Sequence, residues 1–349
     1  MASPMINPEQ IHRDSILPVG RLAEWLDAHL PGPSTRPLVQ PLTGGSSNLL
    51  YLVERGGRKL VLRRPPPARY DRTSHDISRE IRLLSALGQT DVPHPRLIAW
   101  SDDADLIGAP FLVMEHVDGF SPVGRFPEPF ETNSAHRRDI GFRMVETLAR
   151  LAKVDWRAVG LDGFGKPDGF LERQVDRWLA QFERCRTRTI PHLDALAHWL
   201  RASRPQQVAT GLIHGDYSFP NVMIASDPPV RMAAIVDWES STIGDPLLDL
   251  GHLLAGWCNP GESRTYLRDI DWRDMPTRKE LVERYAELTG LPSDNIEYYR
   301  ALALFKLAII LEGAYARYID RQSDYAPHAT LEQRVPALIE QAWGFALGA

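Results

Sequence analysis

Strand-like and helix-like segments of this 349-residue chain are separated from each other, and the change comes near residue 120. Before that point, apolar runs of strand length are bounded by turn residues, and one stretch has helical spacing. After it, most apolar residues recur at helical spacing over long segments. A chain sorted in this way is expected to fold as an α+β protein with two lobes.

The first part of the chain predicts the element order β-β-β-α-β-β behind an amphipathic helix. The hairpin among these elements is expected to turn at Gly56–Gly57, because paired glycines suit the positive φ angles of a tight turn. In chain order, the expected segments are a helix at 21–30, a strand within 39–45, a β-hairpin at 48–66, a helix at 74–88, and strands at 95–100 and 109–117.

The second part of the chain is predominantly helical. Long segments with helical spacing run from about 133 to 205, and helices resume beyond 246. Between them lies a non-helical insertion at 211–246. Its short apolar runs, VMIA and MAAIVD, predict a hairpin that carries polar loops.

Composition excludes several classes of protein. The chain has 40 basic and 45 acidic residues, a net charge of -5, so it offers no overall positive field for a nucleic acid backbone. Its two cysteines, Cys185 and Cys258, have neither zinc-site spacing nor the density of a disulfide framework. No apolar run reaches the length of a membrane span or a secretory signal. We therefore expect a cytoplasmic protein with no nucleic acid or membrane partner.

The most informative motif is His214-Gly215-Asp216, followed by Asn221 and by Asp237 at the end of an apolar run. Singly, these residues are common in turns. Together they match the needs of phosphoryl transfer to a hydroxyl, which uses one carboxylate to orient the hydroxyl and accept its proton. An amide oxygen and a second carboxylate then hold magnesium.

This pattern resembles the aminoglycoside phosphotransferase and choline kinase group of small-molecule kinases. Gly215 stands where protein kinases have arginine, and D-W-E replaces their D-F-G. The resemblance extends from about residue 37 to about 320. It implies a bilobal protein-kinase-like fold with an antiparallel-sheet N-lobe and a mainly helical C-lobe. The implied divisions are an N-terminal helical extension at 1–36, a nucleotide-binding N-lobe at 37–118 and a C-lobe at 119–349 with the catalytic loop and acceptor site.

The resemblance also implies a phosphate-gripping set in the N-lobe. Arg63 takes the place of the family's strand lysine, and Glu80 of the following helix is its expected partner. Lys59 and Arg64 remain alternatives for that cation. The arginine, within a VLR-PP stretch, is similar to the branch of the family fused to acyl-CoA dehydrogenases. The implied phosphate-covering turn is formed by Gly45, Ser46 and Ser47.

A nucleotide-binding hinge is implied at the end of the fifth strand. Backbone groups of Glu115 and Val117 are expected to bind the purine edge, and Met114 is expected to line the pocket behind it. Read alone, the methionine is more typical of core packing.

The function that the resemblance implies is transfer of the γ-phosphate of ATP or GTP to a small-molecule hydroxyl. Asp216 would act on the hydroxyl, and Asn221 and Asp237 would hold Mg²⁺. His214 and Asp249 are expected to anchor the loop instead. The acceptor is left open between an aminoglycoside and a hydroxy acid or its thioester, in a cleft expected between 118–140 and the C-terminal helices. The oligomeric state is also open. A catalytically silent nucleotide-binding module and a metal-dependent hydrolase are alternatives.

Overall fold

The N-lobe contains a five-stranded antiparallel sheet with strand order β1-β2-β3-β5-β4. The computed structural model describes residues 17–42, 48–65, 77–262, 266–267, 269–320 and 326–348. The elements are α1 (Val19–His29), β1 (Leu38–Leu42), β2 (Leu49–Arg55), β3 (Arg58–Arg64), α2 (Ile77–Leu87), β4 (Leu97–Ser101), α3 (Ala104–Ile107) and β5 (Phe111–Glu115). The predicted order of strands and helix is confirmed, and the short α3 is an addition to it.

The β2–β3 hairpin turns where the paired glycines predicted. Gly56 and Gly57 have φ angles of 57° and 76°, and Arg55 pairs with Arg58 across the turn. Alternation along the strands then gives the sheet two distinct faces. Leu60 and Leu62 face the core that α1 covers, while Val61 and Arg63 face the opposite side.

Helix α1 packs on the first of these faces. Leu22, Trp25 and Leu26 are buried there against strand residues, and Trp25 makes an edge-on ring contact with Phe111 at 4.8 Å. Asp27 of the same helix also pairs with Arg55 of β2. The other face of the sheet is therefore the one left for a ligand.

The C-lobe is mainly helical, as predicted, and two small antiparallel sheets lie within it. Its helices are α4 (Ser134–Ala152), α5 (Phe170–Cys185), α6 (Leu193–Ala202), α7 (Leu247–Ala255), α8 (Arg278–Thr289), α9 (Ile296–Ile319) and α10 (Leu331–Gly348). The sheets pair β6 (Gly211–Ile213) with β9 (Thr242–Gly244), and β7 (Val222–Ile224) with β8 (Met232–Ile235). Turns of 3₁₀ helix lie at Phe219–Asn221, Trp238–Ser240 and Ala326–Thr330.

The predicted hairpin of the insertion is β7–β8, whereas β6–β9 was not expected. Strands of three residues are too short to show a period in the sequence. The β6–β9 pair aligns Ile213 with Thr242, so it brings the His-Gly-Asp segment beside the residues that follow Asp237.

Backbone contacts of the β7–β8 hairpin reach both the segment after β5 and the N-lobe. Phe120 and Ile224 exchange backbone hydrogen bonds of 2.8 Å, and Ile235 donates to the Pro93 carbonyl at 2.9 Å. A Cβ at Gly119 would lie 2.4 Å from the Ile224 oxygen, so this approach requires glycine. Across the described ranges, no helix combines the length and apolar character needed to cross a membrane.

Candidate active site

The catalytic-loop segment is held by the carboxylate of Asp249 at the start of α7. This carboxylate accepts hydrogen bonds from the backbone N–H groups of His214 and Gly215, with N–O distances of 2.6 Å and 2.8 Å. The His214 ring donates from Nε2 to the Val236 carbonyl at 2.9 Å and accepts the Asp216 N–H at Nδ1. Burial lowers the pKa of His214, in keeping with a neutral ring that donates from one nitrogen and accepts at the other. Both residues make the anchoring contacts expected of them.

The local geometry explains why glycine occupies position 215. Gly215 has a φ of +81°, and a Cβ there would lie 2.5 Å from the Ser240 carbonyl oxygen. A larger residue would have both a strained left-handed backbone and a clash with the Ser240 carbonyl of the 3₁₀ turn. The Gly215 carbonyl in turn accepts a hydrogen bond from Lys306 of α9.

Asp216 presents a half-exposed carboxylate that two side chains orient. Asn221 donates from Nδ2 to Oδ2 at 2.8 Å, and Nε2 of His252 lies 3.2 Å from Oδ1. Burial lowers the pKa of His252 to about 3, with further lowering by Lys306 and His214, so a neutral imidazole lies beside the carboxylate. Burial raises the pKa of Asp216, although Lys306 opposes the rise.

Asp237 follows β8 in a left-handed conformation, with φ at 64°. Its Oδ1 lies 3.3 Å from both terminal nitrogens of Arg63, and Glu239 Oε2 lies 3.3 Å from one of them. Arg63 Nε also pairs with Glu80 at 3.1 Å, and both of those side chains are buried. Burial alone would lower the pKa of Arg63, but Glu80, Asp237 and Glu239 together raise it, so the guanidinium stays charged.

Of the three candidate cations on β3, the structure brings only Arg63 to this site. Arg64 is buried on the opposite face, where it donates to the Ile107 carbonyl and lies 5.6 Å from the Tyr51 ring centroid. Lys59 is exposed near the turn of the hairpin. Period-two alternation therefore predicted which of the three side chains faces the cavity.

A cavity of about 280 Å³ lies between the sheet and the catalytic loop. Apolar side chains form most of its wall. Its described lining includes Leu42, Leu50, Val61, Leu84, Met114, Val117, Met223 and Trp238, with Arg63, Glu80, Glu115, Asn221 and Asp237 as polar members. The three predicted hinge residues thus lie at one cavity, although the Glu115 N–H donates to the Arg96 carbonyl at 2.9 Å and is not available to a ligand. The predicted phosphate turn of Gly45, Ser46 and Ser47 lies outside the described residues.

A second cavity, of about 510 Å³, opens on the other side of Asp237 and also reaches Asp216. Helices α5 and α9 form one side of its wall. No described residue of 118–140 lines this cavity, whereas α9, one of the C-terminal helices expected at the cleft, does line it. Helix α5 packs against α9, a contact between segments far apart in the chain.

Two arginines near the start of α8 are paired with carboxylates. Arg273 pairs with Asp271 and Glu131, and Arg278 pairs with Glu262. Neither arginine lines the second cavity. The cations that do line it were not identified from the sequence, because isolated basic residues on helices carry no motif.

Comparisons with known proteins agree on one family. The model of the phosphotransferase enzyme family matches residues 38–281. Acyl-CoA dehydrogenase family member 10 of Mus musculus is 31% identical over 347 residues, which are 97% of this chain and 32% of that protein. Member 11 of Rattus norvegicus is 34% identical over 313 residues, covering 85% of this chain and 39% of the relative. The chain thus spans about a third of the length of these relatives.

A solved structure is similar over nearly its whole length. It is a Ralstonia eutropha protein assigned to the aminoglycoside phosphotransferases, with 31% identity and a TM-score of 0.81. The match covers 96% of this chain and 99% of that one. Its extent supports the bilobal kinase-like architecture described above.

Proposed function

The chain belongs to the phosphotransferase enzyme family, and we propose that it transfers the γ-phosphoryl group of ATP or GTP to a hydroxyl group of a small molecule. The position of Asp237 is the observation that supports this most directly, because this residue lines both cavities. Asn221 lies on the side of the smaller cavity and Asp216 on the side of the larger one. A nucleotide in the first cavity would present its terminal phosphate to a hydroxyl in the second.

The donor atoms suit a magnesium ion. Nδ2 of Asn221 donates to Asp216, which leaves its Oδ1 as a possible ligand beside the Asp237 carboxylate. Mg²⁺ in such sites takes one or two carboxylates and completes its shell with phosphate oxygens and water. Within the described ranges, no group of three or more His, Cys, Asp or Glu residues is arranged for a metal. When bound, the ion would neutralise charge on the phosphates.

Asp216 is the proposed proton acceptor. Its carboxylate borders the acceptor cavity, and its two oxygens are held separately by Asn221 and His252. A carboxylate whose pKa is raised by burial is a stronger base than a solvated one. We therefore assign His252 as a positioning residue, since it acts through Asp216.

Arg63 is the proposed phosphate-binding cation. Glu80 holds its Nε, while its terminal nitrogens point to the Asp237 side of the nucleotide cavity. A planar guanidinium can bind phosphate oxygens through two donors, so it can serve where the family has a lysine, with different geometry. Purine binding by Met114, Glu115 and Val117 completes the proposal.

The catalytically silent module is the main alternative. It is motivated by the arginine at position 63, but the contacts of Asp216 with Asn221 and His252 favour a working base. A hydrolase built on His214 would leave the apolar nucleotide cavity without a role, and His214 is committed to backbone contacts on both ring nitrogens.

The test is ADP or GDP formation with a panel of hydroxyl acceptors, using Asp216→Asn and the exposed control Asp227→Asn. Asp216→Asn should retain nucleotide affinity and lose about 10²- to 10⁴-fold in kcat, because proton acceptance is removed without changing the phosphate contacts. The control should behave as wild type. Full turnover by Asp216→Asn would refute the assignment of the base. Magnesium-nucleotide binding without turnover of any acceptor would favour the silent module.

A further inference from the structure

The acceptor cavity carries an excess of positive charge on the helices that form its wall. Arg177 of α5 and Lys306 and Arg317 of α9 line it, together with Arg79 of α2. On α9, Lys306, Ile310, Ala314 and Arg317 follow helical spacing, so one stripe about 16 Å long faces the cavity. The cavity also has apolar wall residues. These are Phe170, Trp178, Leu248, Leu307, Ile310, Leu311 and Ala314.

Two of these cations flank a single indole ring. The Arg177 Cζ lies 5.2 Å from the Trp178 ring centroid, and the Lys306 Nζ lies 5.7 Å from it. Lys306 donates one hydrogen bond to Gly215, while an ammonium has three donors. The lysine therefore holds positive charge next to the catalytic loop with donor capacity remaining.

Arg177 is exposed on α5 and, unlike several arginines of the C-lobe, has no carboxylate partner among the described residues. Arg137, Arg188 and Arg284 each have carboxylate partners within 3.2 Å. For Arg177, no carboxylate of the described ranges lies within ion-pair distance, and its contact is the ring of Trp178. Desolvation lowers its pKa, and the neighbouring Arg173 lowers it further. Like charges held together without an acidic partner indicate a place where an anion binds.

The carboxylates of the cavity offset only part of this charge, because Asp216 attracts Lys306 whereas no carboxylate of the described residues pairs with Arg177. Asp237 and Glu239 contact Arg63, and Asp216 is held by Asn221 and His252 at the transfer end. Arg79 donates to the backbone carbonyls of Phe164 and Ser241. Because both acceptors are uncharged, its positive charge still contributes to the cavity. A polycationic acceptor would thus meet like charges on α5 and α9.

We propose that the acceptor is a hydroxylated small molecule that carries an anionic group, with Arg177 and Lys306 as the anion subsite. The hydroxyl lies at Asp216, the anion lies at the two cations, and an apolar segment packs on α9 and Trp178. This inference rests on the proposed function, because it assigns the charge of the acceptor for the same reaction. A carboxylate and a phosphate monoester share the required chemistry.

The experiment measures both binding and turnover for matched acceptors. The probes are terminal hydroxy carboxylates of increasing chain length, their methyl esters, the corresponding amino alcohols, and phosphate monoesters of the corresponding diols. The variants are Arg177→Gln, Arg177→Glu and the control Arg184→Gln, which removes the same charge from α5 outside the cavity. Equilibrium binding by calorimetry needs no catalysis, so it separates this proposal from the proposed reaction.

Wild type should bind a carboxylate or a phosphate monoester at least 10-fold more tightly than the ester of equal length. Arg177→Gln should raise Kd and KM for the anion about 10- to 100-fold with kcat nearly unchanged, since a charge-assisted contact made before the transition state is lost. Arg177→Glu should favour the amino alcohol. The comparison between carboxylate and phosphate shows which anion is used.

Equal affinity of wild type for anion and ester, a preference for the amino alcohol, or an unchanged Kd in Arg177→Gln would overturn the proposal. Binding of the anion that depends on Arg177, without turnover of any probe, would support the subsite and count against the proposed reaction. An equal loss in Arg184→Gln would also overturn the subsite, because the effect would then be one of overall charge.

Discussion

Replacing Arg63 by methionine tests whether the buried ion pair organises the nucleotide side of the site. Arg63 Nε and Glu80 Oε2 are 3.1 Å apart, and their side chains are only 6% and 9% exposed. Methionine has an unbranched chain that fills much of the same space but has no charge. Glu80 would then be left buried on α2 without its partner, next to the carboxylates of Asp237 and Glu239.

The expected loss of stability follows from this burial. Removing one member of a buried ion pair typically costs about 3–5 kcal/mol, most of it from the charge that remains unpaired. Globular proteins gain about 2.1 cal/mol/K of unfolding entropy per residue, or roughly 0.7 kcal/mol/K for a chain of this length. The melting temperature of Arg63→Met should therefore fall by about 4–7 °C. Arg58→Met, at the exposed start of the same strand, should change it by less than about 1 °C.

Differential scanning calorimetry of wild type, Arg63→Met, Glu80→Gln and the double variant measures this cycle. The double variant should recover a large part of the loss, because the uncompensated buried charge is then absent. Nucleotide binding should be weaker than wild type in Arg63→Met and in the double variant, because both lack the guanidinium. It should partly return in Arg63→Lys, which keeps the charge. A fall of less than about 1 °C in Arg63→Met, or strictly additive single effects, would show that the pair does not stabilise this region as argued.

Two other perturbations probe the catalytic loop. Gly215→Ala should reduce the free energy of unfolding by at least about 1–2 kcal/mol and lower kcat, because its φ of +81° is combined with a Cβ approach of 2.5 Å to the Ser240 oxygen. Gly57→Ala, with φ +76° and open space around the Cβ, should show the backbone strain alone. Equal free energies of unfolding and full activity in both variants would contradict the close approach. His252→Leu should move the acid limb of the kcat profile to higher pH, because an apolar side chain in place of the imidazole beside Asp216 desolvates the carboxylate further and raises its pKa again. His252→Gln should restore part of the shift, and an acid limb that does not move would contradict the positioning role of His252.

Local patterns in the sequence predicted the elements and several site residues. Alternation on β3 placed Arg63 rather than Arg64 on the ligand face, and paired glycines located the β2–β3 turn. The Asp216, Asn221 and Asp237 spacing predicted a cluster that the structure brings together at the junction of two cavities. Such features are readable because helical and strand periods and motif spacings are properties of neighbouring residues.

The tertiary structure alone decided which helices surround the larger cavity. His252 reaches Asp216 from α7, Lys306 reaches Gly215 from α9, and Arg177 faces the same cavity from α5. Each is an isolated polar residue on a helix, and nothing in its own segment distinguishes it from a solvated side chain. Their meeting depends on how distant helices pack, since contacts between residues far apart in sequence leave no local period. The sequence by itself therefore determined the family to which the chain belongs, whereas helix packing determined which charged side chains line the larger cavity.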